Sequence, residues 1–272
     1  MTKYGAIYSG IDVRDYKMVC SAQQYDFPKE FDFETVRIKD QGSIGRCVAT
    51  ALSSIIEYYN YKQHGDDTEM SPGYIYGNRS NSKHKESGMI IRDALDVVSK
   101  FGDVFCHEFP YDVEAPEIIK YYNKEAERLY EVGRPHRISE YCRVSTVGAA
   151  KHALMSGTPL LMAMDWYEDM NVNKDGVLET NYEGYCGGHC MFIYGWNEYG
   201  WKVQNSWGTN WGIDGCFILP YEMGMAECWA VLDDIIDGTY VKKPFSSKIG
   251  KYLARFINVI CNIFSQTTTH LS

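Results

Sequence analysis

Three widely separated residues carry side chains that could act together in nucleophilic catalysis: Cys47, His189 and Asn205. A thiol deprotonated by an imidazole attacks carbonyl carbon, and a carboxamide can hold the imidazole ring in the productive orientation. Gln41 precedes the cysteine and carries an amide N–H₂ able to donate a hydrogen bond to a developing oxyanion. Each residue alone has a simpler interpretation: a free cysteine is usually a small buried apolar side chain, and a lone histidine is usually structural.

The segment around Cys47 predicts a tight loop followed by a helix. Gly42 and Gly45 permit positive φ and close backbone approach just before the cysteine. From Val48 to Tyr59 the apolar residues recur at helical spacing, which predicts a helix with one buried stripe. Cys47 is therefore expected on or beside a helix N-terminus, where unpaired N–H groups and the helix dipole favour a thiolate. This position should lower the thiol pKa below its free value of about 8.5.

Taken together, three motifs resemble the papain (C1) family of cysteine peptidases from about Phe27 to Asp233. They are Gln41-Gly-Ser-Xaa-Gly-Xaa-Cys47, Gly188-His189 and Asn205-Ser-Trp-Gly-Xaa-Xaa-Trp-Gly-Xaa-Xaa-Gly215. His189 and Asn205 follow Cys47 by 142 and 158 positions, where the family spacing is roughly 130–150. The slightly long second interval is explained by a loop insertion.

The resemblance implies a role for each residue of the predicted site. Cys47 would be the nucleophile, His189 the general base and acid, Asn205 the residue that orients the imidazole, and Gln41 an oxyanion donor beside the Cys47 N–H. Gly88, followed by Met89, resembles the glycine that pairs with the substrate backbone, and Gly188 belongs to the same substrate-binding cleft. Trp207 would line the cleft and shield the His–Asn hydrogen bond from water.

Several positions depart from the family pattern. Ile44 replaces a cysteine that is normally disulfide-bonded, Val48 replaces an aromatic residue, and Gly188 stands where many members have Asp or Asn. Only 46 residues precede the nucleophile, in place of a long inhibitory pro-region. The short arm, with Ser9-Gly-Xaa-Asp-Xaa-Arg-Asp-Tyr16, is similar to the prokaryotic-type and viral branch, in which a short N-terminal segment can lie near the cleft.

The elements that must position these residues divide the chain into a helix-rich and a strand-rich half. We expect an α+β fold of papain-like type, with a helical lobe, an antiparallel barrel-like lobe and the active-site cleft between them. The predicted domains are an N-terminal arm (1–27), a peptidase domain (28–236) and a basic C-terminal tail (237–272). Within the peptidase domain the helical lobe spans about 28–135 and the strand-rich lobe about 136–236.

Caps and apolar spacing place the remaining elements. Ser71-Pro72 predicts a helix start, and Asn78 to Lys85 a surface loop. The predicted helices span Met89 to Lys100, Glu114 to Glu131 and Thr146 to Met155. The predicted strands span Arg137 to Ser145, Pro159 to Trp166, Cys190 to Trp196, Trp201 to Val203 and Cys216 to Tyr221, with a hairpin turn at Asn197 to Gly200.

The net charge and the cysteines of the chain bear on its ligands and its compartment. A net charge of −9 argues against general nucleic-acid binding, which needs clustered Lys and Arg. Nine scattered cysteines and the lack of a signal-peptide pattern predict a reducing compartment, cytoplasmic or virion-associated. Cys186-Xaa-Xaa-His189-Cys190 lacks a complete zinc-ligand pattern, so we expect neither a metal nor a cofactor.

The C-terminal tail has the pattern of an amphipathic helix. From Gly238 onward there are five Lys or Arg and no Asp or Glu, and apolar residues line one face of a helix spanning Lys248 to Phe264. Such a helix either docks on protein, this chain's own body or a partner, or lies in a membrane surface rich in anionic lipid. The oligomeric state is not indicated by the sequence.

Three functions are compatible with the predicted site. The first is a peptidase that hydrolyses peptide bonds through a thiolate–imidazolium pair and an acyl-enzyme thioester. The second is a thiol acyltransferase or peptide ligase, which needs the same groups and differs in whether an amine outcompetes water. The third is a non-catalytic binding module on the same fold, which the intact chemical positions disfavour.

Overall fold

The computed structural model describes residues 3–18, 26–79, 87–109 and 125–233. Contacts divide the chain into two units, Met1–Thr239 and Tyr240–Ser272, and all described residues lie in the first. The predicted tail helix lies outside the described residues, as do most of the loop after Asn78 and the first part of the helix expected from Glu114.

Four α-helices have defined bounds, and residues 125–133 are also helical. The four are α1 (Cys47–His64), α2 (Pro72–Gly77), α3 (Ile91–Phe101) and α4 (Val147–Met155), with 3-10 turns at Arg134–His136 and Tyr221–Met223. Ser71 and Thr146 cap α2 and α4 by accepting hydrogen bonds from the backbone N–H of Tyr74 and Ala149. The Ser71 cap lies where the sequence predicts it, and Thr146, expected as the first residue of its helix, is the cap before that helix.

Eleven short strands complete the described elements. They are β1 (Ala6–Ile7), β2 (Phe31–Asp32), β3 (Met89–Ile90), β4 (Glu140–Arg143), β5 (Leu160–Tyr167), β6 (Asn171–Val172), β7 (Leu178–Glu179), β8 (Tyr185–Trp196), β9 (Gly200–Gln204), β10 (Cys216–Pro220) and β11 (Glu227–Leu232). The main sheet has seven strands in the order β10-β9-β8-β5-β11-β4, with β2 paired to β8. All of its pairings are antiparallel.

The main sheet separates two hydrophobic clusters because successive side chains of a strand point to opposite faces. Leu161 and Ala163 of β5 belong to the cluster formed with α1 and α3. Leu160 and Met162 of the same strand belong to the other cluster, which includes α4. Helix α1 is buried along residues 47–60, on more than the one stripe expected, because it packs against β8, α2 and α3.

The structure differs from the predicted elements at several points. The helix expected from Met89 begins at Ile91, because Met89–Ile90 is an extended pair hydrogen-bonded to Ala6–Ile7 of the N-terminal arm. Strand β8 begins at Tyr185, so His189 lies inside a strand and not at its start. Strand β11, which lies between β5 and β4, was not predicted.

No helix among the described residues is long and apolar enough to cross a membrane.

Candidate active site

Cys47 is the first residue of α1, and its thiol is completely buried. The preceding residue, Arg46, is the N-cap position and makes no side-chain capping hydrogen bond. The backbone amides of Gly5 and Cys190 hydrogen-bond to the thiol. Cys190 directly follows His189 on β8, and α1, which begins at Cys47, packs against this strand.

His189 is held by a carboxamide on the loop after β9. Its Nε2 lies 2.7 Å from Asn205 Oδ1, and both residues are buried. Asn205 Oδ1 also accepts the backbone N–H of Ser206 at 2.8 Å, which fixes the oxygen toward the ring. The other ring nitrogen, Nδ1, is buried without a hydrogen-bond partner among the described residues.

Aromatic rings enclose the imidazole. The indole of Trp207 stacks on the His189 ring, with centroids 4.5 Å apart and planes inclined by 20°. Trp166 of β5 contacts the same ring edge-on at 5.2 Å, and Trp211 packs edge-on against Trp207 at 5.0 Å. These three indoles exclude water from the hydrogen bond between His189 and Asn205.

Gln41 lies on the loop before α1 with its amide fixed at both ends. Its Oε1 accepts a hydrogen bond from Ser206 Oγ at 2.6 Å, and its backbone N–H donates to the Ser206 carbonyl at 2.9 Å. Its Nε2 donates to the carbonyl oxygens of Lys3 at 2.7 Å and Ile44 at 2.9 Å. The sequence suggested that this amide would be free to donate to an oxyanion. In the structure it already donates to the N-terminal arm and to Ile44.

The beginning of the arm lies over the thiol, the imidazole and the Gln41 amide. The Lys3 ammonium is 3.7 Å from the centroid of the Trp207 ring, and the Tyr4 ring packs edge-on against His189 at 6.2 Å. The Gly5 carbonyl accepts the backbone N–H of Met89 at 2.8 Å. In this conformation the arm fills the space that a polypeptide needs to reach Cys47.

Comparisons with known proteins agree with this geometry. A family model described as "Papain family cysteine protease" matches residues 23–230. A peptidase C1-like protein from Acanthamoeba polyphaga mimivirus is 30% identical over 222 residues, covering 73% of this chain and 70% of the relative. This chain belongs to the papain family of cysteine proteases. It is a cysteine peptidase, and neither the family match nor this relative supports a transferase or a binding module in its place.

Solved structures show the same papain-like α+β fold. Xylellain, a cysteine protease from Xylella fastidiosa, superposes with a TM-score of 0.71 at 24% identity, covering 86% of this chain and 97% of the other. A procathepsin B from Trypanosoma congolense superposes with a TM-score of 0.64 at 17% identity, covering 86% and 87%. The fold class and the prokaryotic-type resemblance expected from the sequence are confirmed.

The pKa of the Cys47 thiol shifts in the direction opposite to that expected from the helix dipole. Burial raises the pKa of the Cys47 thiol above its ordinary 9.0, and the hydrogen bonds from backbone amides oppose this only in part. Burial lowers the pKa of His189 to about 4, against the opposing effect of the bond to Asn205. While the arm is seated, both shifts favour the neutral thiol and the neutral imidazole.

The predicted substrate-binding residues lie along the arm. A Cβ placed on Gly88 would lie 2.7 Å from the Gly5 carbonyl oxygen, and one placed on Gly188 would lie 2.3 Å from the Ala6 carbonyl oxygen. The Met89 amide and the Trp207 ring contact Gly5 and Lys3 respectively. Seven of the eight predicted site residues therefore lie against residues 3–6 of the arm, and the eighth, Asn205, is hydrogen-bonded to His189.

Sequence reasoning missed Ser206 and Trp166, which hold Gln41 and His189. Ser206 lies in the quoted Asn-Ser-Trp-Gly motif, so its position offered a signal, whereas Trp166 looks like any apolar strand residue. No group of three or more His, Cys, Asp or Glu side chains suited to a metal ion occurs in the described part of the chain.

Proposed function

We propose that Cys47 is the nucleophile of this peptidase, His189 its general base and acid, Asn205 the residue that positions the imidazole, and Gln41 the oxyanion donor. One observation carries the proposal: Gln41 Nε2, on the loop that leads into Cys47, already holds a peptide carbonyl oxygen, that of Lys3, at 2.7 Å. A donor that binds a carbonyl oxygen here can also bind the oxyanion that develops from a substrate carbonyl.

The reaction begins with proton transfer from the thiol to His189. Because Asn205 Oδ1 accepts from Nε2, the neutral ring carries its proton on that nitrogen, and the unpartnered Nδ1 can take the thiol proton. The thiolate then attacks the peptide carbonyl, and Gln41 and the Cys47 N–H stabilise the oxyanion. The imidazolium protonates the leaving amine, and water hydrolyses the thioester with His189 as base.

We infer that the substrate backbone replaces the arm along β3. The backbone N–H of Met89, which donates to Gly5, is the main-chain contact that a substrate would take over. Gly88 and Gly188 leave the cleft walls without side chains at the two points where a main chain passes closest. Trp207 lies on the side of His189, where the leaving amine must be protonated.

Cys47→Ala tests the nucleophile directly, with Cys228→Ala as the matched control, since Cys228 is buried in the cluster on the opposite face of the sheet. We expect Cys47→Ala to abolish hydrolysis of a fluorogenic peptide library and labelling by a thiol-reactive epoxide. Cys228→Ala should retain both. Continued epoxide labelling of the Cys47→Ala protein at the wild-type stoichiometry would refute the assignment.

We also propose that the enzyme works in a reducing compartment, cytoplasmic or virion-associated, with its basic tail on a membrane surface. The seven described cysteines, none of them in a disulfide, and the relative from Acanthamoeba polyphaga mimivirus support the reducing compartment.

The amphipathic pattern of Lys248–Phe264 supports the membrane location of the tail. Sedimentation with anionic liposomes tests this membrane location. A larger fraction of the full chain than of a chain ending at residue 245 should sediment with the liposomes, and equal fractions would exclude the membrane role.

A further inference from the structure

Two cysteines meet where α1 packs against β8. The backbone N–H of Cys190 hydrogen-bonds to the sulfur of Cys47, so this sulfur lies one hydrogen-bond length from the Cys190 backbone. Both cysteines are free and completely buried. The mechanism proposed above uses the thiol of Cys47 and gives the side chain of Cys190 no role.

The side chain of Cys190 lies on the same face of the main sheet as α1. Cys190 and Phe192 belong to the hydrophobic cluster that contains Cys47, whereas their strand neighbours Met191 and Ile193 belong to the cluster on the opposite face. A disulfide needs two Cα atoms about 4.4–6.8 Å apart. This separation is compatible with a hydrogen bond from the backbone of one cysteine to the sulfur of the other.

The two thiols differ in reactivity. His189 can take the proton of Cys47, and a thiolate is the form of cysteine that peroxides oxidise. Burial raises the pKa of the Cys190 thiol well above its ordinary 9.0, and negative charge on Cys47 and Glu227 raises it further. A peroxide therefore reacts first at Cys47, and Cys190 stays beside it as a neutral thiol.

We propose that Cys190 is the resolving thiol of a redox switch, which closes as a reversible disulfide with Cys47 when the protein meets hydrogen peroxide. The Cys47 thiolate attacks a peroxide oxygen, the O–O bond breaks, and the departing hydroxide takes the proton held by His189. Cys47 is then a sulfenic acid. The Cys190 sulfur attacks the Cys47 sulfur, the S–O bond breaks, and the hydroxyl group leaves as water with the Cys190 proton. Two thiols are oxidised to one disulfide, and hydrogen peroxide is reduced to two molecules of water.

The disulfide blocks the nucleophile and also protects it. While Cys47 is bonded to Cys190, no thiolate can attack a peptide carbonyl, so hydrolysis stops. The sulfur is also kept from oxidation to sulfinic acid, which thiols do not reverse. A dithiol restores both cysteines by thiol–disulfide exchange. The switch rests on the proposed function only for its activity readout, since the disulfide is detected independently.

The first test is peptide mapping of the full chain after treatment with hydrogen peroxide, with free thiols blocked and no reductant added. We expect a cross-linked pair of peptides, one containing Cys47 and the other Cys190. Hydrolysis of a fluorogenic peptide should be lost as this pair accumulates. Dithiothreitol should remove the cross-link and restore hydrolysis.

Cys190→Ala distinguishes the switch from simple oxidation of the nucleophile, because it removes the resolving sulfur and keeps the backbone N–H. Peroxide should inactivate this variant too, but Cys47 should proceed to sulfinic acid, and dithiothreitol should not restore hydrolysis. Cys228→Ala is the matched control, since Cys228 is a buried cysteine of the opposite cluster. It should form the disulfide and recover as the wild type does. Each rate is expressed relative to the same protein before treatment.

Three results would overturn the switch: no peptide joining Cys47 to Cys190 in the treated wild-type chain, Cys47 joined to a different cysteine, or equal recovery of wild type and Cys190→Ala. The first two are read from the wild-type chain, so they hold even where a variant folds poorly. If the disulfide forms in a chain that hydrolyses no peptide before treatment, the switch is supported and the assigned nucleophile is wrong.

Discussion

His189 Nε2 and Asn205 Oδ1 lie 2.7 Å apart in a fully enclosed pocket, and this contact determines which ring nitrogen is left to act as base. Asn205 Oδ1 also accepts the Ser206 N–H, so the amide cannot rotate without losing two bonds. The indole of Trp207 covers the contact. The imidazole is therefore held in one tautomer and one orientation before any substrate arrives.

Asn205→Ala should lower kcat about tenfold to hundredfold with little change in KM, because a buried hydrogen bond to a group that becomes charged contributes about 1.5–3 kcal/mol. Asn210→Ala, an exposed residue of the same loop, is the matched control. Steady-state kinetics with a fluorogenic peptide checks this. A wild-type kcat for Asn205→Ala would show that the contact does not position the base.

Gln41→Ala should lower kcat about 10²–10³-fold, because one oxyanion donor typically accounts for that factor. The matched control is Gln63→Ala near the end of α1, whose amide donates to Asp233 outside the site. Ser206→Ala should have a smaller effect of the same kind, since Ser206 Oγ only orients the Gln41 amide. An unchanged kcat in Gln41→Ala would show that groups other than Gln41 stabilise the oxyanion.

The pH dependence of Cys47 alkylation should differ between the closed and the arm-released protein. Burial raises the thiol pKa and lowers that of His189 to about 4, so in the closed protein the thiolate should form only at alkaline pH. Releasing the arm removes this burial, which lets the thiol pKa fall and the imidazole pKa rise. Gly5→Ala should displace the arm, because its Cβ would lie 2.0 Å from the Gly45 carbonyl oxygen. The midpoint of the alkylation rate should therefore shift to lower pH in this variant, and identical midpoints would contradict this account.

Acid should destabilise the fold through histidines whose pKa is lowered by partial or complete burial. Burial lowers the pKa of His136 to about 4 from its ordinary 6.5. Between pH 6.5 and 4 the unfolded chain binds a proton that the folded chain does not, so the unfolding free energy falls by about 3 kcal/mol for such a histidine. Urea denaturation at pH 7 and pH 4 should show a smaller loss in His136→Gln than in wild type. Exposed His107→Gln is the control, and equal losses in all three proteins would contradict the prediction.

The sequence was informative where a local pattern determines the structure. Gly42, Gly45 and the helical spacing after Cys47 place the start of α1, Ser71 caps α2, and the turn at Asn197–Gly200 joins β8 to β9. These features depend on backbone conformation and on neighbours in sequence. They can be predicted without knowing the rest of the fold.

Features that depend on distant contacts could not be predicted. Met89–Ile90 is extended because Ala6–Ile7 pairs with it, although its own spacing is helical. Strand β11 is defined by its pairing with β4 and β5. The thiol pKa rises because the arm and the cleft bury Cys47, which outweighs the helix dipole that the sequence suggested.

The central claim is that Cys47 carries the acyl group during peptide hydrolysis. Rapid acid quenching of the protein with an activated peptide ester, followed by peptide mass spectrometry, measures this directly. The account predicts a thioester on the peptide that contains Cys47, its absence from Cys47→Ala, and its accumulation in His189→Ala only at a greatly reduced rate. An acyl group on a different residue, or undiminished turnover with no acylated Cys47, would contradict it.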